Sequence, residues 1–112
     1  MRKGLFLALF VLLLLPSCNH KKVRKPEVLL TEQQMIDVLA DVYLIEARLN
    51  QMRSVGENVT PYQDTYYDQV FEHYGITDTI FDANMYYYSH ELPVLERIMD
   101  SVMNRFANAQ RK

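Results

Sequence analysis

TEQQMIDVLADVYLIEARLNQMR, residues 31–53, is the longest helical pattern in the chain, and its reading decides the fold. Met35, Val38, Leu39, Val42, Ile45, Leu49 and Met52 recur at steps of three and four, the spacing of one face of an α-helix. Thr31 followed by Gln34 fits a capping box, in which the threonine side chain caps the first turn and the glutamine reaches back. Ile36, Tyr43 and Ala47 widen the apolar stripe, so more than half of the circumference is expected to be covered. Gln33, Asp37, Asp41, Arg48 and Gln51 fall on the remaining face. Glu46 breaks the pattern, because helical spacing from Val42 and Leu49 places it inside the stripe. A carboxylate there needs a hydrogen-bond donor or a cation, or else a raised pKa. It is read as a buried acid, either held by a structural partner such as a tyrosine hydroxyl or arginine, or part of a site.

Downstream segments repeat the same logic. Ser54 to Val59, with Gly56 and Asn58, reads as a loop. Thr60-Pro61 starts a second helix, with Thr60 as cap, Pro61 at the first helical position and Gln63 completing a box. Its apolar face is Tyr62, Tyr66, Tyr67, Val70, Phe71 and Tyr74, and Asp64, Asp68 and Glu72 line the opposite one. Gly75 is expected to end it as a left-handed cap with Ile76 folding back. Thr77 caps a third helix running to about His90, with Ile80, Phe81, Met85 and Tyr88 toward the core. Leu92 precedes a proline and is expected outside the helical region. Pro93 then opens a fourth helix carrying Leu95, Ile98, Met99, Val102, Phe106 and Ala109. No segment alternates with a period of two. The prediction is an all-α domain over residues 30–110, a small bundle of about four helices whose short connections make neighbours pack directly.

The start of the chain has a different character. Arg2 and Lys3 precede an unbroken apolar run, Leu5 to Leu15, and Leu15-Pro16-Ser17-Cys18 follows. A cationic start, a short apolar core and a small residue before the cut describe a secretory signal peptide over residues 1–17. The run is too short for a transmembrane helix, which needs roughly 20 apolar residues. Leu-x-Ser-Cys resembles the bacterial lipobox, in which the cysteine thiol receives a diacylglyceryl group and becomes the mature N-terminus; Pro16 departs from the residue usual at its position. Lipidation at Cys18 implies a membrane anchor. It also removes the only cysteine, so no disulfide can form. Residues 18–29 read as a tether carrying Lys21, Lys22, Arg24 and Lys25 without an acid before Glu27, suited to an anionic lipid surface or to plain solvation.

All fourteen acids lie from Glu27 onward. An acidic body excludes nucleic acid as a partner, since phosphate neutralisation needs clustered lysine and arginine. Catalytic constellations are missing: no Gly-x-Ser-x-Gly, no His-Glu-x-x-His and no glycine-rich phosphate loop. His73 and His90 are isolated, which leaves no metal set and no cofactor pattern. Seven of the eight tyrosines lie between Tyr62 and Tyr88. Tyr86, Tyr87 and Tyr88 are successive, and helical neighbours are about 100° apart, so at least one ring must sit at the rim or in solvent. Tyr67, Tyr86 and Tyr87, with Asp64, Asp68 and Glu72, are the candidate binding residues for an envelope protein or glycan; edge-of-core packing and a solvated acidic face are the structural alternatives.

Lys25-Pro26-Glu27, Leu30-Thr31-Glu32, Met35, Val38-Leu39, Asp41, Glu46-Ala47, Tyr74-Gly75-Ile76-Thr77, Phe81, Tyr86-Tyr87-Tyr88 and the Pro93 helix together resemble a family of small Bacteroidota lipoproteins, the domain-of-unknown-function 4296 family. The resemblance covers nearly all of the mature chain. It implies an envelope location and a helical domain, and no catalytic residues. Surface-exported lipoproteins of that phylum are known for acids just behind the cysteine. Asn19-His20-Lys21-Lys22 lacks them, which points to the periplasmic side. Asn19, in place of the aspartate that retains many enterobacterial lipoproteins, favours the outer membrane. Asp78-Thr79-Ile80 and Asp100-Ser101-Val102 match the short periplasmic O-glycosylation pattern, which makes Thr79 and Ser101 candidate modified residues. The expectation is a non-catalytic interaction or structural module of the envelope. The alternatives are an envelope enzyme or enzyme subunit using Glu46 with a tyrosine as an acid/base pair, and a small-ligand carrier with an apolar cavity between its helices.

Overall fold

A computed structural model describes residues 23–111; the signal-peptide stretch 1–17, Cys18 and the tether up to residue 22 lie outside the described residues. Four helices follow one another: α1 (Glu32–Ser54), α2 (Thr60–His73), α3 (Asp78–Ser89) and α4 (Leu92–Gln110). Among the described residues there is no strand, and no helix is long and apolar enough to cross a membrane. The fold is a small all-α bundle.

The capping signals around α1 are realised. Thr31 Oγ1 accepts the Gln34 N–H at 3.1 Å, and Gln34 Oε1 accepts the Thr31 N–H at 2.9 Å. Each of the first two helices ends on a glycine with positive φ, 84° at Gly56 and 67° at Gly75. The Glu57 N–H reaches back to the Met52 carbonyl, and the Ile76 N–H to that of Phe71, both at 3.0 Å. These are Schellman closures, which occupy carbonyls the helix end leaves without partners.

α1 is the central element. Its Met35, Leu39 and Ala40 pack with Leu30, Tyr88, Ile98 and Val102; Val38 and Val42 pack on Phe71; Leu49 and Met52 pack on Val59. The pairings fix the directions. Asp41 meets Tyr74 and Glu46 meets Tyr67, so α2 runs antiparallel to α1. Glu32 pairs with Arg97 and Asp37 with Arg105 at 2.8 Å, so α4 runs alongside in the same direction. α3 passes the end where α1 begins.

A side chain that periodicity did not single out holds that end together. Asn84 is fully buried. Its Oδ1 accepts the Leu30 N–H at 2.8 Å, and its Nδ2 donates to the carbonyls of Val28 and Ile80, each at 2.8 Å. The Tyr88 hydroxyl donates to the Leu30 carbonyl. Residues 28–30 thus form a strap whose backbone groups are met by α3 side chains instead of a secondary-structure ladder.

Four expectations need correction. Thr60 does not cap α2 and no box forms with Gln63. Thr60 is already helical, and Asn58 Oδ1 accepts its N–H at 3.2 Å, because burial of Val59 against Leu49 and Met52 brings the turn in one residue early. α4 begins at Leu92, not Pro93. Tyr43 and Ala47 do not widen a buried stripe: both are exposed, Tyr43 at 38%, because α1 and α4 leave an open groove along this side, in which Tyr43 meets the Phe106 ring edge-on. Asp37 and Asp41 are not on a free face; both are half-buried and bonded, Asp37 to Arg105 and Asp41 to Tyr74.

Asn84→Ala should cost about 2–4 kcal/mol, since it strands the buried Leu30 N–H and leaves a small void. For a domain of this size that lowers the thermal midpoint by roughly 10 °C or more. A midpoint equal to the parent's would mean the strap contributes nothing to folding.

Candidate functional site

α2 and α3 meet through the Gly75 turn and leave a groove of about 630 Å³ lined by Gln63, Asp64, Tyr67, Asp68, Phe71, Asp78, Phe81 and Asp82. Helical spacing explains the arrangement. Asp64 and Asp68 are four apart on α2, and Asp78 and Asp82 are four apart on α3, so each pair stacks along one edge. Thr77 sets the start of α3 by accepting the Ile80 N–H at 3.2 Å, which places Asp78 in the first turn where the helix dipole favours a carboxylate. Between the edges lies an aromatic run. The Tyr67 and Phe71 rings are 6.0 Å apart, and Phe71 and Phe81 5.2 Å. Phe71 is buried, whereas all four carboxylates are exposed. Among the described residues no lysine or arginine forms an ion pair with any of them. Glu72 sits one turn further along, lining a smaller hollow of about 250 Å³ with Asp68, Ile76 and Asp78.

The sequence candidates therefore separate. Tyr67, Asp64, Asp68 and Glu72 come together, but not as a face turned away from the aromatic side of α2; the acids flank it. Asp78 and Asp82 complete the groove and were missed, although their own four-residue spacing was visible. Tyr86 and Tyr87 do not line it. The three successive rings diverge: Tyr86 is 61% exposed and tilts over His90, Tyr87 is half-buried, and Tyr88 is in the core.

Glu46 is half-buried, not fully buried, and accepts a hydrogen bond from the Tyr67 hydroxyl. One α2 turn-pair away, Tyr74 donates to Asp41. Thr79 is exposed in the first turn of α3, its N–H 2.7 Å from Asp78 Oδ1; Ser101 is half-buried inside α4. Among the described residues no three His, Cys, Asp or Glu side chains converge to hold a metal ion. A second groove, about 470 Å³, lies between α1 and α4. It is apolar, lined by Tyr43, Leu44, Ala47, Met103, Phe106 and Ala109.

The described residues define the class of this protein as a small all-α domain, with a carboxylate-edged aromatic groove between α2 and α3. The chain belongs to the family described as Domain of unknown function (DUF4296), which it matches over residues 26–112. No curated protein and no solved structure matches it.

Burial, and after it the hydrogen bonds and charges of Glu46 and Asp41, push the Tyr67 and Tyr74 hydroxyls up to about 12 from the ordinary 10.0. A group whose pKa is raised by folding contributes stability below its unfolded pKa, and that contribution fades as pH climbs through the folded value. Thermal stability should hold up to about pH 10 and fall between about 10 and 12. The double variant Tyr67→Phe/Tyr74→Phe should show a shallower alkaline fall. An identical alkaline limb in parent and variant, followed by circular dichroism, would show that these hydroxyls are not the linked groups.

Proposed function

We propose that this protein is a non-catalytic, lipid-anchored module of the bacterial cell envelope that binds a basic segment of another envelope protein. Cys18 carries the lipid, and the helical domain stands on the periplasmic side, on the outer membrane. The observation that carries the binding reading is the groove in which Asp64, Asp68, Asp78 and Asp82 surround Tyr67, Phe71 and Phe81. Carboxylates repel one another at these spacings by a few tenths of a kcal/mol per pair. A guanidinium or ammonium seated over the rings relieves that repulsion and adds a cation–π contact of about 0.5–2 kcal/mol. A glycan could use the same rings by stacking but would leave the four charges without a counterpart.

An acid/base role for Glu46 and Tyr67 finds less support. The Tyr67 hydroxyl donates to Glu46 within the seam between α1 and α2, and a tyrosine pKa near 12 lies far from the neutral range in which proton transfer is efficient. The carrier reading draws on the apolar groove between α1 and α4, yet that groove lies on the outside of the bundle, with Leu44 56% exposed. Ligand sites ordinarily enclose most of their ligand.

Two measurements on Asp64→Asn/Asp68→Asn/Asp82→Asn test the proposal together. Captured from native membranes, the parent should enrich a partner over a control lipoprotein, and the variant should lose it. At low salt the variant should be as stable as the parent or more so, because removing like-charge pairs relieves strain that serves binding. Equal enrichment by both proteins would remove the groove from the account; a marked loss of stability would make these acids structural.

A further inference from the structure

We propose that the outward face of α3, with the strap Pro26–Val28 beside it, rests on the lipid headgroups of the membrane that carries the anchor. This rests on lipidation of Cys18, as proposed above, and adds an orientation to it. Thr79, Ala83, Tyr86 and His90 are spaced by four, three and four residues, so they share one side of α3, and all four are exposed. None is an acid. The chain between Pro26 and Val28 lies against the same side, lining with Thr79, Ile80 and Ala83 an apolar furrow of about 270 Å³; Glu27 is the one acid in that lining, set against Lys21, Lys22, Arg24 and Lys25 of the tether. Val28 is 48% exposed there.

Two features select a lipid surface as the occupant. The first is reach. Only four residues separate Cys18 from Val23, a span of five Cα–Cα steps, which limits the gap to roughly 18 Å even when fully extended. The strap then leaves the domain along α3 itself, held by Asn84, so this side cannot swing far from the anchor. The second is charge. Arg24 and Lys25 are exposed just before the strap and follow Lys21 and Lys22, matching anionic headgroups. Tyrosine is favoured at membrane–water interfaces, where its ring is apolar and its hydroxyl wet. Asp78 and Asp82 line the α2 groove on the flank of α3, Asp82 bordering this side through its spacing from Thr79 and Tyr86, and this orientation leaves that groove open to a partner.

The chain contains no tryptophan, so Tyr86→Trp supplies a single reporter, and Tyr62→Trp, at an exposed position on α2, a control. The mature chain from Cys18 is coupled through that thiol to a maleimide lipid in vesicles of phosphatidylcholine and phosphatidylglycerol, with brominated lipids as quenchers. Quenching at Tyr86→Trp should exceed that at Tyr62→Trp by at least about twofold, and adding Ala83→Glu should abolish the difference. Equal quenching at the two positions, or a difference untouched by Ala83→Glu, overturns the docked face. Native anchoring is read separately in cells, from whether Cys18→Ser leaves washed membranes. Loss of that result with quenching retained would sink the anchor and spare the face.

Discussion

The buried amide of Asn84 is the constraint on which the rest of the structure depends. A strap that enters a helical bundle brings backbone donors and acceptors with no ladder to join. Left without partners, each would cost on the order of 1–3 kcal/mol. One asparagine meets two of them, the Leu30 N–H and the Val28 carbonyl, while also donating to the Ile80 carbonyl of its own helix, and Tyr88 meets a third at the Leu30 carbonyl. Burial strengthens these bonds, and charge from Tyr87 and Glu32 joins burial in raising the Tyr88 pKa, so its hydroxyl stays a donor. The consequence is geometric. Where the chain leaves the domain is fixed against α3, immediately before α1, the helix against which α2 and α4 pack.

Eight of the fourteen acids of this protein form two contrasting sets. Glu32, Asp37, Asp41 and Glu46 all lie on α1 and all have partners: Arg97, Arg105, Tyr74 and Tyr67. They register α1 against its two long neighbours. The exposed Arg97 pair contributes little energy by itself and chiefly sets alignment. Asp64, Asp68, Asp78 and Asp82 are the other set, gathered around one groove without a cation among the described residues. The fold thus matches one row of carboxylates internally and leaves the other exposed, which is the contrast on which the binding proposal rests. The tyrosines divide in the same way. Tyr74 and Tyr88 are spent on hydrogen bonds within the bundle, Tyr67 serves both the α1 seam and the groove, and Tyr86 faces solvent.

Periodicity made the helices legible because three- and four-residue spacing reports burial directly, and glycine at 56 and 75 marked two helix ends through a backbone need no other residue meets so easily. Glu46 could be read as an acid in need of a donor, since its position in the α1 stripe follows from local spacing. Its partner Tyr67 could not be read, because that depends on how α2 crosses. Asn84 was hidden for a related reason. It stands four residues from both Ile80 and Tyr88, on the core side, yet nothing local says that the strap will need it. The Thr60 cap failed where tertiary burial of Val59 outweighed a local preference. The groove escaped because its two acidic edges belong to different helices, and only the Gly75 turn brings them together.

Native-state hydrogen exchange of the Leu30 amide tests the central claim most directly. If Asn84 clamps the strap as part of the cooperative core, this proton exchanges only when the whole domain unfolds, at the rate of the slowest α1 amides. Exchange as fast as that of Arg24 and Lys25 in the tether would mean that the strap is loose and that the orientation built on it does not hold.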